Sequence, residues 1–179
     1  MMCTNEAIQS TYEIANQFRL DQLILLTESD LKISLASQIR KKVKKNITVN
    51  TESPWYNTYN ANSVFFIDIT AFDSNKLQLK YDSTTNRKGY KYDDEALVIE
   101  LKFFKYHDDI PTVINDFNKM EFLTKADKNN CFIITAARTA ELFEMAEKFM
   151  RERMQINRLK YNSRLRVYLF GPEKIVEII

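Results

Sequence analysis

Three ionisable residues interrupt two apolar stretches of the chain, and their side chains are the ones most able to do chemistry. Glu100 and Lys102 stand within the apolar run 96–104, and Asp68 stands within the run 64–72. Both runs are short and rich in branched and aromatic residues, which predicts largely buried β-strands. Burying carboxylates and an ammonium group there is costly unless they are paired, hydrogen-bonded or bound to a metal.

The spacing of these residues suits a metal site. Side chains alternate along a strand, so Glu100 and Lys102 are predicted to share one face. If the two strands are adjacent, Asp68, Glu100 and the backbone carbonyl of Leu101 offer three hard oxygen ligands for Mg²⁺. The metal would polarise a phosphoryl group and acidify a bound water, while Lys102 orients that water or stabilises the transition state. The alternative is a buried ion-pair network without a catalytic role, and because such networks stabilise a fold little, function is favoured.

Two further carboxylates compete for a place in this site. Glu28 follows Thr27, which with Asp30 forms a capping pattern for a helix of residues 28–45. The helical period places Glu28 on the apolar stripe of that helix, although an acid at a helix N-terminus is also favoured by the dipole alone. Asp73 is a rival for the position of Asp68, but its place before a polar loop favours a turn.

Composition predicts a single domain covering residues 1–179, with an N-terminal helix at about 5–26 and a core at about 28–170. The chain is 45 % hydrophobic, and it has only two glycines and three prolines, which argues against a glycine-rich phosphate loop. Two distant cysteines indicate neither a disulfide framework nor a zinc site. With no secretory signal and no apolar run of membrane-spanning length, a cytoplasmic protein without membrane partners is expected.

Basic residues are segregated into two segments although the net charge is only +2. Such patches can attract phosphate backbones, so they predict a nucleic-acid surface. The alternative is that they are ordinary solvated helix faces. The residues assigned to this surface are Arg40, Lys41, Lys42, Lys44, Lys45, Arg151, Arg158 and Lys160.

The predicted order of elements after the N-terminal helix is helix, three strands, helix, strand, helix, strand. A polar segment around residues 76–81 is predicted as an additional β-hairpin arm. Three successive strands favour an antiparallel meander, and the later strand–helix–strand unit favours a right-handed parallel crossover. The expected fold is an α/β (α+β) mixed sheet with helices on both faces and a C-terminal strand.

This element order, with Asp68 on the second strand and Glu100-Leu101-Lys102 on the third, resembles the PD-(D/E)XK nuclease superfamily over residues 28–170. The resemblance implies a restriction-endonuclease-like αβββαβ core and an endonuclease-type hydrolase that uses Mg²⁺ or Mn²⁺. It assigns Asp68 and Glu100 to the metal, Lys102 to the attacking water, and Glu28, more loosely, to the acid of the first core helix. Ile67 stands where the family's motif has proline.

The expected substrate is nucleic acid, DNA in preference to RNA, and a homodimer is left open as the oligomeric state. Two alternatives remain. One is a catalytically inactive nucleic-acid-binding member of the same fold. The other is a protein-interaction or regulatory domain in which Asp68, Glu100 and Lys102 form a structural charge network.

Overall fold

The computed structural model describes residues 3–56, 64–82, 87–92, 94–126, 129–157 and 164–179. Within them the α-helices are α1 (Thr4–Arg19), α2 (Glu28–Lys42), α3 (Val113–Ala126) and α4 (Ala140–Asn157). The first four strands are β1 (Ile47–Tyr56), β2 (Val64–Asp73), β3 (Leu77–Asp82) and β4 (Arg87–Tyr92). The others are β5 (Leu97–Phe104), β6 (Asn130–Ala137), β7 (Leu165–Phe170) and β8 (Ile175–Glu177). Short 3₁₀ helices occupy Ser74–Lys76 and His107–Thr112.

One mixed sheet contains all eight strands, in the order β3-β4-β1-β2-β5-β6-β7-β8. β1, β2 and β5 pair in antiparallel fashion, as the sequence predicts for three successive strands. β5, β6 and β7 are parallel, with α3 and α4 as their connections. The polar arm is the antiparallel hairpin of β3 and β4. It lies between β2 and β5 in the chain, but at the edge of the sheet beside β1. The prediction of a mixed sheet is therefore confirmed.

Helices cover both faces of the sheet and divide the hydrophobic core into two clusters. On one face, α1 and α2 pack over β5 and β6, and this cluster contains Leu31, Leu35 and Ile39 of the predicted α2 stripe. On the other face, the cluster includes Phe117 of α3 and Phe143 of α4. The two faces of β5 are thus buried under different helices, which explains its almost continuous apolar sequence.

Three boundaries differ from the sequence-based expectation, and the first is the end of α2, which lies at Lys42 and not at residue 45. α1 ends at Arg19 and not near residue 26, because the chain turns at Asp21, which has a φ of 55°. β1 includes Pro54, although proline cannot donate a ladder hydrogen bond. A proline is tolerated there because β1 pairs with β4 only at Trp55, so few hydrogen bonds are lost on that side. β8 adds an antiparallel edge strand after the glycine-proline pair that was expected to end the sheet.

None of the helices in the described part of the chain has the length and apolar character needed to cross a bilayer.

Candidate active site

The sheet is incompletely paired between β2 and β5. Their ladder has three residue pairs and ends at Ile69 and Ile99. Beyond that point the Asp68 side chain replaces a backbone acceptor. The N–H of Leu101 donates a hydrogen bond to Asp68 Oδ2 at 2.9 Å. We call this region, where β2 and β5 are joined by side chains in place of a backbone ladder, the open junction. It contains the strand residues that the sequence singled out.

The side-chain alternation of β1 and β2 reverses beside the open junction. Val49 and Ile69 belong to the core cluster under α1 and α2, whereas Trp55 and Ile67 belong to the cluster under α3 and α4. An undisturbed strand would send odd-numbered residues to one face only. The register of the two strands is continuous, so the reversal is local and coincides with Glu52, a non-glycine residue with a φ of 53°. The aspartate between the two isoleucines therefore lies at the point of reversal.

Glu100 is a buried carboxylate, with 4 % of its surface exposed. Lys119 Nζ of α3 lies 2.9 Å from Glu100 Oε1 as an ion pair, and this oxygen receives no well-directed hydrogen bond from the described residues. Burial raises the pKa of Glu100 to about 7, with Asp68 and Asp116 adding to the rise and Lys119 opposing it. Glu100 is thus held where its negative charge needs a nearby cation.

Lys102 lies between two acids from different helices. Its Nζ is 3.6 Å from Glu28 Oε2 of α2 and 3.6 Å from Asp116 Oδ2 of α3. Burial disfavours the ammonium form, but Asp116, Glu28 and Asp68 outweigh it, so the pKa of Lys102 is raised above its usual value. Burial also raises the pKa of Asp116 to about 6, against the opposing effect of Lys102 and Lys119. Lys102 is therefore a permanent cation at neutral pH.

Asp68 has its own lysine. Lys32 Nζ of α2 is 2.7 Å from Asp68 Oδ1 and also forms an ion pair with Glu52. Burial disfavours the charge of Lys32, yet these two carboxylates more than compensate and its pKa is raised. The Asp68 carboxylate is consequently held by a backbone N–H through one oxygen and by an ammonium group through the other.

Four carboxylates and three ammonium groups thus surround the open junction, and they come from two helices and two strands. Each lysine forms an ion pair with an element other than its own, which ties α2, α3, β2 and β5 together. Among the residues that the structure describes, no three Asp, Glu, His or Cys side chains are grouped closely enough to hold a metal ion. We call this set the charged cluster, and its members are Glu28, Lys32, Asp68, Glu100, Lys102, Asp116 and Lys119.

The two helices present their charged residues at regular helical spacing. Glu28 and Lys32 are four residues apart on α2, and Asp116 and Lys119 are three apart on α3, so each pair projects from one side of its helix. The first turn of α2 is fixed by the predicted capping box, in which Asp30 N donates to Thr27 Oγ1 at 3.2 Å and Thr27 N to Asp30 Oδ2 at 2.8 Å. This cap holds Glu28 at the start of the helix.

The four side chains predicted to form the site are brought together by the fold. Asp68 bonds the peptide of Leu101, which lies between Glu100 and Lys102, and Lys102 in turn approaches Glu28. The rival aspartate, Asp73, lies elsewhere and starts the short 3₁₀ helix after β2 by accepting a hydrogen bond from Asn75 N at 3.1 Å.

The basic residues assigned to nucleic acid lie away from the charged cluster. Arg40 is 12 residues after Glu28, about 18 Å along the helix at 1.5 Å per residue. Its guanidinium group donates to Val49 O at 3.1 and 2.8 Å, and Lys42 pairs with Glu13 at 2.8 Å. Lys41, Lys44 and Lys45 are exposed at the same end of α2, and Arg151 pairs with Glu147 on α4. Arg158 and Lys160 lie outside the described residues.

Sequence reasoning missed three members of the charged cluster, Lys32, Asp116 and Lys119. All three stand on helices, where charged residues are ordinarily solvated. A signal exists for Asp116, which lies three residues after Val113 and four before Met120 and therefore falls on the buried stripe of α3. An acid on an apolar helix stripe is as unusual as an acid in a core strand. No comparable signal separates Lys32 and Lys119 from surface lysines.

Comparisons of this chain with protein-family models, with curated proteins and with solved structures find no match.

Proposed function

We propose that the protein is a divalent-metal-dependent nuclease of the PD-(D/E)XK type, which hydrolyses phosphodiester bonds in DNA in preference to RNA. The observation that carries the proposal is the convergence of Asp68, Glu100 and Lys102 on one break between the apolar strands β2 and β5. Buried charges stabilise a fold little compared with apolar residues of similar size. Their concentration at this single place is therefore better explained by chemistry than by stability.

The residues at the open junction suit a hard divalent cation. Carboxylate oxygens of Asp68 and Glu100 and the carbonyl of Leu101 are the kind of ligand that Mg²⁺ and Mn²⁺ take. Glu100 Oε1 and Asp116 Oδ2 are buried without a directed hydrogen bond among the described residues, although each has a lysine ammonium group against it. When bound, the metal would supply Lewis acidity to the phosphoryl group and to a water.

Lys102 and Glu28 have complementary roles in this proposal. Because the acids around it keep Lys102 protonated, it acts as a fixed positive charge beside the reacting phosphate and not as a proton acceptor. Glu28 is the most exposed carboxylate of the charged cluster, and it orients the attacking water from its position beside Lys102. Asp116 holds the ammonium group in place from α3.

The positions of the basic residues set the length of nucleic acid that the proposal requires. The exposed lysines at the C-terminal end of α2 are about 18 Å from Glu28 at the N-terminal end. At 3.4 Å per base pair, a duplex touching both ends of α2 would extend over about five base pairs. The lysines would hold the backbone to one side of the scissile bond.

A cleavage assay on single- and double-stranded DNA and RNA, with Mg²⁺ or Mn²⁺ and with chelator, tests the proposal. We expect wild-type protein to cleave DNA only with metal, and both Glu100→Ala and Lys102→Ala to lower the rate at least 100-fold. Lys102→Ala should spare most of the metal binding, since an ammonium group is not a ligand. Thr135→Val is the matched control, because Thr135 pairs with Lys102 in the neighbouring strand and bonds only Tyr168 O in the described part of the chain. Absence of cleavage on all four substrates would refute the nuclease.

One observation favours a second candidate, a nucleic-acid-binding protein without catalytic activity. Asp68 and Glu100 each have a lysine against them, at 2.7 and 2.9 Å, which neutralises their charge without a metal. This candidate predicts binding that needs no metal and that survives Glu100→Ala. Fluorescence anisotropy with labelled DNA separates the two, and a steep linear fall of log affinity with log salt would identify phosphate contacts. Failure to bind at low salt would leave a protein-interaction domain.

A further inference from the structure

The ammonium group of Lys119 contacts oxygen atoms of two different strands. Its Nζ lies 2.9 Å from Glu100 Oε1 of β5 and donates a hydrogen bond to the carbonyl oxygen of Phe66 in β2 at 2.8 Å. The side chain reaches this place from α3 and is 21 % exposed. Since the β2–β5 ladder ends at Ile69 and Ile99, Lys119 joins the two strands where their backbones do not.

This arrangement satisfies the same need that a metal would satisfy. A carboxylate as buried as Glu100 is costly to keep ionised without a cation within a few ångströms. A carboxylate oxygen and a backbone carbonyl are hard oxygens, which accept either an ammonium group or a divalent cation. The two cations cannot both take Glu100 Oε1 at full strength, because like charges at such distances repel strongly.

We propose that Lys119 is the resident counter-ion of Glu100 and that a divalent cation must displace it in order to bind. Lys119 is then a positioning residue that sets the affinity of the protein for metal. It balances the charge of Glu100 until a divalent cation replaces it. The inference depends on the proposed function for the location of the metal at Glu100.

Three acids of the charged cluster each have a lysine against them: Asp68 has Lys32, Glu100 has Lys119, and Asp116 has Lys102. Lys119 is the cleanest of the three to test. Lys32 has a second carboxylate partner in Glu52, and Lys102 already has a part in the proposed chemistry.

Isothermal titration of the full chain with Mn²⁺ and with Mg²⁺, without nucleic acid, measures the effect directly. Lys119→Met keeps the length of the side chain and removes its charge, so we expect Mn²⁺ to bind at least tenfold more tightly than to wild type. Lys119→Arg keeps the charge and should stay within threefold of wild type. Lys174→Met is the control for net charge, because Lys174 pairs with Glu144 at the same 2.9 Å and lies outside the charged cluster.

Thermal unfolding of each variant shows whether it folds. If Lys119→Met does not, Lys119→Gln replaces it, because its amide can still donate to Phe66 O without carrying a charge. Affinity for Mn²⁺ that is unchanged or weaker in the folded neutral variant, or increased equally by Lys174→Met, overturns the inference. So does loss of folding in both neutral variants, which would assign Lys119 to the structure alone, and so does an absence of binding in wild type and variants alike.

The outcome can be told apart from that of the nuclease proposal. Tighter metal binding in Lys119→Met together with no cleavage by wild type would support the resident counter-ion and refute the nuclease. Metal-dependent cleavage by wild type with no change of affinity in Lys119→Met would do the reverse.

Discussion

The two sides of β5 differ in how they are joined to the rest of the sheet. Towards β6, β5 is paired along its whole length, from Leu97 opposite Asn130 to Phe104 opposite Ala137, and we call this side the closed junction. Towards β2, only three pairs form before the open junction begins. The charged residues gather on the side where backbone pairing is incomplete.

Residues that are paired between β5 and β6 show how the two junctions differ. Opposite Glu100 and Lys102 of β5, β6 carries Ile133 and Thr135. Thr135 is fully buried, but its hydroxyl donates to Tyr168 O at 3.0 Å, so its single polar group is satisfied locally. Glu100 and Lys102 are satisfied only by residues of other elements. These long-range partners gather at the place where the β2–β5 ladder is broken.

Removing the carboxylate that takes the place of the ladder should have the largest effect. Asp68→Ala removes one of the two acids that pair with Lys32 and leaves Leu101 N without its acceptor. Breaking a buried ion pair from one side usually costs about 3–5 kcal/mol. We expect a loss of that size in urea unfolding, against about 1 kcal/mol for Thr135→Val at the closed junction, which loses one neutral hydrogen bond. Equal losses would show that the open junction is not held by charge.

The second-largest expected effect is a pH dependence of the free energy of unfolding. It should arise at the open junction and not at the closed junction. In the folded protein burial raises the pKa of Asp116 from 3.8 to about 6. A carboxyl whose pKa is raised on folding contributes stability that is present below about pH 4 and lost as the pH rises through 6. At about 1.4 kcal/mol per pKa unit, this loss is roughly 3 kcal/mol for wild type.

Asp116→Asn cannot titrate, so its stability relative to wild type should increase by that amount between pH 4 and pH 7. The pairing with Lys102 forms only when Asp116 is ionised, and it is already included in the pKa of Asp116. Urea unfolding at four or five pH values gives the difference curve. A flat curve would mean that Asp116 is solvated in the folded protein.

Substitution of Glu28 is expected to have a smaller effect, which should be seen in the rate of turnover. If Glu28 only favours the helix dipole, Glu28→Gln costs about 0.3–1 kcal/mol of stability and leaves the rate unchanged. Its position 3.6 Å from Lys102 favours a part in the site. We therefore expect a fall of at least tenfold in metal-dependent turnover, about 1.4 kcal/mol of barrier, with little change in melting temperature. A lowered melting temperature with unaltered turnover would remove Glu28 from the site.

The strand half of the site could be predicted because charges in apolar strands are conspicuous. Asp68, Glu100 and Lys102 each interrupt a buried run, and neighbouring strands with matched register must bring such residues together. The meander and the parallel unit followed from the order of strands and helices alone. The pattern therefore predicted the members of the charged cluster that lie on strands.

The break itself could not be predicted. The reversal is at Glu52, which has a positive φ. This conformation is usually signalled by glycine or asparagine in the sequence, and position 52 has neither. The lysines that hold Glu100 and Asp68 belong to helix surfaces, and their partners are fixed only once α2 and α3 are packed against the sheet. Ion pairs between elements that are distant in sequence are a property of packing and not of local pattern.

The smallest expected effect concerns the cap of α2, which places one end of the charged cluster. Thr27→Ala removes the side-chain acceptor of Asp30 N, which typically costs about 1 kcal/mol. Thr139→Ala removes a matching bond at the start of α4, from Leu142 N at the same 3.2 Å, and should cost about as much. Thr27→Ala should cost at least as much as Thr139→Ala in thermal unfolding, because the Thr27 hydroxyl also donates to Asp30 Oδ2 at 2.9 Å.

They should differ in turnover if helix position matters at the open junction, because α2 contributes Glu28 and Lys32 to the charged cluster and α4 contributes no member. A frayed first turn would move Glu28 away from Lys102 while leaving the strands in place. We expect a fall of a fewfold in metal-dependent cleavage for Thr27→Ala and none for Thr139→Ala. Equal rates for the two variants would show that Glu28 is held by its ion pair with Lys102 and needs no cap, in which case Lys102 positions the helix as well as the phosphate.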